Sequence, residues 1–373
     1  MLRVLSVFGT RPEAIKMAPV IAELARHGER ILSRTCFTGQ HRDMVQPLVQ
    51  LFGIRVDRDL NLMRENQTLE YLTVRVLEEV GKILREDEFD YVLVQGDTTT
   101  SMAASLAAFY RGTRVGHVEA GLRTYDKAQP YPEEVNRKVI DSVSDLLFAH
   151  TEHAKGNLVR EGVKPAQIAV TGNTVIDALL DVARRDCRFT DPALEALSRE
   201  PRKIVLVTAH RRESFGDQFE SMCAGLRRLA AEYAKDVVIV YPVHRNPNVR
   251  KVVGGALAGL ENVRLIDPMD YAPFVHLMKR AHIVLTDSGG IQEEAPSLGK
   301  PVLVMRNVTE RQEAVDAGTV KLVGTDARVI FDEASRLLTD REAYEAMASR
   351  ANPYGDGTAA VKTVARLLQE AGA

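Results

Sequence analysis

Residues 91–121, YVLVQGDTTTSMAASLAAFYRGTRVGHVEAG, decide the fold. Tyr91–Gln95 is a short, β-branched and apolar run closed by Gly96, the pattern of a strand buried on both faces. Met102–Tyr110 is small, apolar and free of helix breakers, which predicts a helix, and Arg114–Glu119 returns to a strand. Strand, crossover helix and strand in so few residues make a parallel unit. The same alternation extends in both directions. Upstream, Leu2–Phe8 and Ile31–Thr38 read as strands, with helical periods at Glu13–Arg26 and Thr68–Arg85. Downstream come strands Leu146–Ala149 and Ile168–Thr171, a helix Asn173–Arg185, and a polar, proline-bearing stretch Asp186–Arg202. The pattern restarts at Lys203, with strands Ile204–Thr208, Val237–Pro242, Val263–Ile266, Ile283–Thr286, Val302–Val304 and Val320–Val323. This is an α/β chain of two Rossmann-like, doubly wound domains. The first is expected at residues 1–171 and the second at 172–355. A last helix, Thr358–Ala371, within residues 356–373, is expected to join the first domain. The carboxyl ends of both sets of strands would line a cleft between the domains, where ligands bind in such folds.

The composition narrows the function. A chain of 373 residues, 45% apolar and 27% charged, has the balance of a globular protein long enough for two or three domains. Forty-nine Lys and Arg against 51 Asp and Glu leave a formal charge of −2, which argues against nucleic acid or an anionic membrane as the main partner. Cys36, Cys187 and Cys223 lie far apart, forming neither a disulfide framework nor a metal-ligand spacing. The amino terminus carries no signal-type apolar run, and no stretch reaches the roughly 18 apolar residues of a spanning helix. A cytoplasmic protein is expected.

Chemistry-bearing residues gather where strands end. After the first strand, Gly9-Thr10-Arg11-Pro12-Glu13 supplies a capping box (Thr10, Glu13) and a proline suited to the first turn. Arg11 and Lys16 are cations near a helix N-terminus, which disfavours them unless an anion binds there, or unless both are simply solvated. Asp97 follows the strand 91–95, where it could cap the next helix or face a ligand. Glu119 ends the following strand. Pro130-Tyr131-Pro132-Glu133-Glu134-Val135-Asn136-Arg137 opens a helix on which Glu133 and Arg137, or Glu134 and Lys138, could pair at i, i+4. In the second half His210 and His244 occupy equivalent strand ends, each followed by arginine, which suits an anionic ligand. Asp287-Ser288-Gly289-Gly290 turns a strand into a helix and offers backbone N–H groups to a phosphate, with a Ser288 hydroxyl beside them. Glu294, one turn further, could accept both hydroxyls of a ribose. No GxGxxG follows a strand and no GxxxxGK[ST] occurs, which removes the usual dinucleotide and P-loop fingerprints.

The segments GTRPEAIKMAP, QGDTTTSMAASLAAFY, VGHVEAGLRT, PYPEEVNR, TAHRRESFG, YPVHRNPNV and DSGGIQEEAPSLGKPVLV together resemble the bacterial non-hydrolysing UDP-N-acetylglucosamine 2-epimerases. The resemblance runs from Gly9 to the turn Asn352–Gly357. It implies a GT-B fold, a homodimer, no metal and no redox cofactor, and interconversion of UDP-N-acetylglucosamine and UDP-N-acetylmannosamine. It further implies that Arg11, Lys16 and His210 contact substrate, with His244 beside them. Met269, Phe274, Ser288, Gly289, Gly290, Glu294 and Arg311 would hold uridine and diphosphate. Asp97, Glu119 and Glu133 match the catalytic carboxylates, with Arg137 and His210 as further catalytic candidates. Gln40, His41 and Gln67 fit a site where some members bind a second substrate molecule as activator. Asp43 and Asn66 stand there in place of a glutamine and an arginine.

The chemistry calls for these residue types. The C2 proton of the sugar is not adjacent to a carbonyl carbon, so direct deprotonation is too costly. Without a dinucleotide to oxidise a neighbouring carbon, elimination remains: UDP leaves C1 as a carboxylate takes the C2 proton, giving a 2-acetamidoglucal, and UDP adds back after protonation on the other face. Cations such as Arg11, Lys16, His210 and Arg311 would stabilise the departing diphosphate. A glycosyltransferase of the same architecture, a hydrolysing epimerase and a nucleotide-sugar sensor are the alternatives.

Overall fold

The computed structural model describes residues 1–64, 66–187, 189, 191–211 and 216–372, and it divides into two compact units. Unit 1 comprises Met1–Ala178 and Tyr354–Ala373, and unit 2 comprises Leu179–Pro353. Arg212 and Glu213, part of one quoted segment, lie outside the described residues. Among the described residues no helix is long and apolar enough to cross a membrane.

Unit 1 is built on strands β1 (Leu2–Phe8), β2 (Ile31–Phe37), β3 (Arg58–Asp59), β4 (Tyr91–Gln95), β5 (Arg114–Ala120), β6 (Leu146–Ala149) and β7 (Ile168–Val170). They pair in parallel in the order β3-β2-β1-β4-β5-β6-β7. Unit 2 carries β8 (Lys203–Thr208), β9 (Val237–Pro242), β10 (Val263–Ile266), β11 (Ile283–Thr286), β12 (Val302–Val304) and β13 (Val320–Leu322). Their order, β10-β9-β8-β11-β12-β13, repeats that of the first six strands of unit 1. Strand order reverses between β1 and β4 in one sheet and between β8 and β11 in the other. Such switch points open crevices at the carboxyl ends of their strands. The two-domain, Rossmann-like architecture read from the sequence is the one observed.

Burial explains the strand composition. All five residues of β4 and all three of β12 are buried, so helices must cover both faces of each sheet. In the helix Thr99–Tyr110, Ala103, Ala104, Ala107 and Ala108 are buried and allow close packing against Leu69–Glu86. The last helix, Ala359–Glu370, packs on Arg11–Arg26, and the Asp177 carboxylate accepts its leading N–H groups from Ala359 (3.2 Å) and Ala360 (2.9 Å). That is a helix cap supplied from a distant segment. Among the elements that the sequence reading does not name, three have a local reason. The helix Arg42–Phe52 carries an internal Pro47. Strand β3 is two residues long, too short to show alternation. The helix Pro192–Ser198 lies inside the polar stretch 186–202 and is capped by Asp191.

Gly121, just past β5, has φ +86°, and a Cβ there would sit 2.4 Å from the backbone oxygen of Ala154. Strain and collision act together, and backbone cannot swing aside as a side chain could. Gly121→Ala is therefore expected to lower stability by roughly 2–4 kcal/mol, read as a shift in the denaturation midpoint. An unchanged midpoint would mean that the helix Glu152–Arg160 can retreat from β5.

Candidate active site

In unit 1 the site begins with a carboxylate that the fold supplies to itself. Glu13 is fully buried, and its Oε2 accepts the N–H groups of Gly9 (3.0 Å) and Thr10 (2.7 Å). Its Oε1 accepts the hydroxyls of Thr98 (2.6 Å) and Ser101 (2.8 Å), so Glu13 ties the two chain segments that leave β1 and β4. Two N–H groups just before this helix, which an anion could otherwise use, are thereby occupied. Arg11 is half-buried beside them at the first helical position and enters no ion pair among the described residues. Lys16 turns instead to Glu119, its Nζ lying 2.6 and 2.7 Å from the two carboxylate oxygens.

Glu119 is held by both its backbone and its side-chain partners. Its φ is +67°, and the register between β5 and β6 shifts between Val118 and Ala120. A bulge of this kind re-aims a side chain, and a left-handed backbone in a non-glycine residue costs about 1–3 kcal/mol that the surroundings must offset. Besides Lys16, the side-chain amides of Gln95 and Asn173 donate to its oxygens, the latter at 2.9 Å. Glu119 is 8% exposed, enough to meet a ligand while its charge stays compensated.

Asp97 follows β4, but it does not cap the next helix. Thr98 does, accepting the Ser101 N–H at 3.0 Å. The Asp97 Oδ2 takes Arg137 Nε at 2.9 Å and Nη2 at 2.7 Å, and its carbonyl accepts Asn136 Nδ2 at 2.9 Å. Neither i, i+4 pair expected on the helix Glu133–Val143 forms among the described residues. Arg137 pairs with Asp97 and, at 3.2 Å, with Glu134 one turn back. Glu134 already accepts the N–H groups of Thr124 (2.9 Å) and Tyr125 (3.0 Å), so it serves the loop before the helix. Glu133 is half-buried, and its Oε2 is buried without a hydrogen-bond partner among the described residues. A buried carboxylate oxygen with no donor marks a place for a proton or a ligand hydroxyl. Asp97 and Glu119 are thus held by cations, while Glu133 presents a buried oxygen without a donor among the described residues.

The expected activator residues also gather in unit 1. Gln67 Nε2 donates to the Gln40 carbonyl (3.3 Å), Thr100 Oγ1 donates to Gln40 Oε1 (2.8 Å), and the His41 N–H bonds the Gly9 carbonyl (3.1 Å). This places the three near the carboxyl end of β1. Asp43 is exposed, and Asn66 has φ +54°.

In unit 2 the equivalent switch point collects His210 after β8 and Asp287 after β11. Asp287 is fully buried, and its Oδ2 accepts the N–H groups of His210 and Arg211, each at 2.7 Å. Its Oδ1 has no hydrogen-bond partner among the described residues and lies 3.9 Å from His210 Nδ1. The His210 ring stacks on His244, with centroids 5.0 Å apart. Burial pushes the His210 imidazole below its ordinary pKa. Asp287 opposes this, while His244 and Arg211 add to it. His210 is therefore suited to act as a neutral hydrogen-bonding group rather than as a standing cation. The sequence shows Asp287 only as a residue at a strand end, and its bonds to His210 and Arg211 depend on β11 lying beside β8.

The turn Asp287-Ser288-Gly289-Gly290 opens the helix Gly289–Ser297, and the Ser288 hydroxyl makes no capping bond there. The leading N–H groups of that helix remain a site for an anion. A Cβ on Gly289 would approach Glu310 Oε1 at 3.4 Å and Arg311 Cζ at 3.7 Å, which places Arg311 over the turn. Arg311 Nε is 2.5 Å from Glu293 Oε1. Glu294 receives the Tyr271 hydroxyl at 3.2 Å, which braces its carboxylate. Tyr271 was not anticipated from the sequence. Met269 and Phe274, half-buried before and within the helix Tyr271–Arg280, complete the group.

Comparisons agree with this geometry. A family model described as UDP-N-acetylglucosamine 2-epimerase matches residues 22–368. The chain is 53% identical over 363 residues to the UDP-N-acetylglucosamine 2-epimerase of Escherichia coli K12, covering 96% of each chain. It is 47% identical to the UDP-GlcNAc 2-epimerase of Neisseria meningitidis, whose crystal structure holds UDP-GlcNAc, with a TM-score of 0.87 over 99% of this chain and 100% of that one. The Methanocaldococcus jannaschii UDP-GlcNAc 2-epimerase, crystallised with UDP-GlcNAc and UDP, is 32% identical with a TM-score of 0.77, covering 99% of this chain and 100% of the other.

Proposed function

The chain belongs to the UDP-N-acetylglucosamine 2-epimerase family, and from that premise we propose how its own residues carry out the reaction. It epimerises UDP-N-acetylglucosamine at C2, giving UDP-N-acetylmannosamine reversibly. The observation that carries the mechanism is the set of three carboxylates in unit 1, Asp97 and Glu119 at strand ends and Glu133 opening the helix whose Arg137 holds Asp97. Sugar binding alone does not call for three acids, one of them on a strained backbone.

The uridine diphosphate lies on the glycine turn of unit 2. Backbone N–H groups of Gly289 and Gly290, the Ser288 hydroxyl and the Arg311 guanidinium take the phosphates, and Glu294 accepts the ribose hydroxyls. Met269 and Phe274 flank the uracil. His210 and His244 complete the phosphate contacts of that unit, and in unit 1 Arg11 is a cation for substrate. In the first half-reaction one carboxylate accepts the C2 proton while the C1–O bond breaks. The C–H pair becomes the C1=C2 double bond and the C1–O pair leaves on UDP. In the second half-reaction another carboxylate delivers a proton to the opposite face of C2, and a UDP oxygen bonds C1 again. Arg137 holds Asp97, and Lys16 holds Glu119, so that each carboxylate keeps its orientation through both halves. No metal or redox cofactor is required by this sequence of bonds. The enzyme works as a cytoplasmic homodimer, without nucleic acid or membrane as partner.

The test is solvent exchange. Run in D₂O with UDP-N-acetylglucosamine and no acceptor, the enzyme should place one deuterium at C2 of the product, with traces of UDP and glycal, as read by NMR. Product lacking deuterium at C2 would overturn the two-carboxylate elimination. A sugar passed only to an added acceptor would favour a glycosyltransferase, and free N-acetylmannosamine a hydrolysing epimerase.

A further inference from the structure

We infer that His117 is a positioning residue for Asp97, holding the turn that carries this carboxylate through a hydrogen bond to the Gly96 carbonyl. The inference rests on the epimerase mechanism above and adds a residue to it. His117 is fully buried on β5, two residues before Glu119. Its Nε2 lies 2.7 Å from the Gly96 carbonyl oxygen and its Nδ1 lies 2.5 Å from Asp141 Oδ1. A carbonyl can only accept, so Nε2 carries the proton of that bond. Burial alone would raise the Asp141 carboxyl, but His117 and Arg123 beside it hold it below the ordinary carboxylate range, so it too accepts. Arg123 Nη2 reaches Asp141 Oδ2 at 2.6 Å and Glu161 Oε2 at 2.7 Å, and anchors the far end of the chain of bonds.

The geometry explains why a buried histidine is placed there. Gly96 has φ +70°, a conformation that starts the turn to Asp97. Its N–H bonds the Val118 carbonyl at 2.9 Å, and its own carbonyl is taken by His117. Both backbone groups of Gly96 therefore end on β5, the strand that also carries Glu119. One strand sets the spacing between two of the proton-transfer carboxylates. The helix Glu133–Val143 closes the arrangement from the other side, with Asn136 and Arg137 on Asp97 and Asp141 on His117. Without His117 the Gly96 carbonyl would be a buried acceptor lacking a donor, and the turn would shift to find one. A displacement of about 1 Å in a reacting group costs on the order of 10²-fold in rate.

Two variants separate positioning from a merely structural role. His117→Gln places an amide nitrogen near the ring Nε2, keeping a donor for Gly96 while giving up Asp141. His117→Asn places its nitrogen near the ring Nδ1, keeping Asp141 while leaving Gly96 unpaired. Each loses one buried hydrogen bond, so a structural role would lower both melting temperatures without ordering the rates. The expected result is a kcat for His117→Asn about 10–100-fold below that of His117→Gln, with KM for UDP-N-acetylglucosamine within about threefold. Equal kcat values, or His117→Asn at the wild-type rate, would overturn the inference. Should neither variant fold, ¹⁵N-histidine NMR of the wild-type enzyme decides, since an unprotonated His117 Nε2 would also overturn it. Wild-type enzyme assayed alongside keeps the two readings apart. An active wild type with the wrong order of variants sinks only the role of His117, whereas a wild type that makes no mannosamine epimer sinks the epimerase mechanism as well.

Discussion

Glu119→Gln is expected to lower kcat for epimerisation by about 10²–10⁴-fold, a barrier increase of roughly 3–5 kcal/mol, while UDP binds as before. The substitution keeps shape and most hydrogen-bonding capacity but removes the group that exchanges a proton with C2. The geometry makes this a clean test in one respect and a demanding one in another. Asn173 and Gln95 donate to different carboxylate oxygens, so the single amide oxygen keeps one of them and the other must turn its own oxygen to the new NH2. Lys16, whose side chain is 17% exposed, loses its counter-charge, so a modest fall in stability should accompany the loss of rate. NMR-monitored turnover, calorimetric UDP titration and a thermal melt on the same preparation distinguish the effects. Retained UDP affinity with lost turnover places Glu119 in the chemistry. Near-normal turnover would remove it from the mechanism.

Why Glu119 could be read from the sequence, while its partners could not, follows from what each signal depends on. A carboxylate just after an apolar run shows itself by position alone, because strand ends face the crevice in any doubly wound sheet. The same logic exposed Asp97, His210 and the Ser288-Gly289-Gly290 turn. The Lys16–Glu119 pair joins residues 103 positions apart, and nothing local in either segment announces the other. From the sequence Lys16 shows only as a cation near a helix N-terminus, facing an anion or solvated, because the approach of Glu119 depends on β5. Glu13 shows the converse: its capping role was legible from Thr10 three residues earlier, but its bonds to Thr98 and Ser101 depend on β4 lying beside β1. Helix-surface pairs were the weakest inference. Spacing permits Glu133–Arg137, but Arg137 turns instead to Asp97, whose Oδ2 takes two of its nitrogens, and that carboxylate comes from a strand end 40 residues away. His117 was indistinguishable from a core residue inside a strand, and only the two acceptors at its ring nitrogens give it meaning.

Asp97→Asn should suppress epimerisation and solvent exchange at C2 together, each by about 10²–10⁴-fold, with little change in folding stability. The two halves of that expectation have separate causes. Loss of the carboxylate removes a proton-transfer group whose Oδ2 is held by two Arg137 nitrogens, so its place is set before substrate arrives. Stability should hold because Thr98 caps the helix that follows, and an asparagine oxygen can still accept from Arg137, which also keeps Glu134 at 3.2 Å. If Asp97 served mainly to anchor Arg137, the melting temperature would fall while residual enzyme turned over normally. Deuterium wash-in at C2 reports proton abstraction even when the overall reaction is slowed at another step. Loss of net epimerisation with wash-in at the normal rate would exclude Asp97 from abstraction and leave it only the return of the proton. Loss of both, with an unchanged melt, places Asp97 in the elimination step, in which the C2–H and C1–O bonds break and which exchange and epimerisation share.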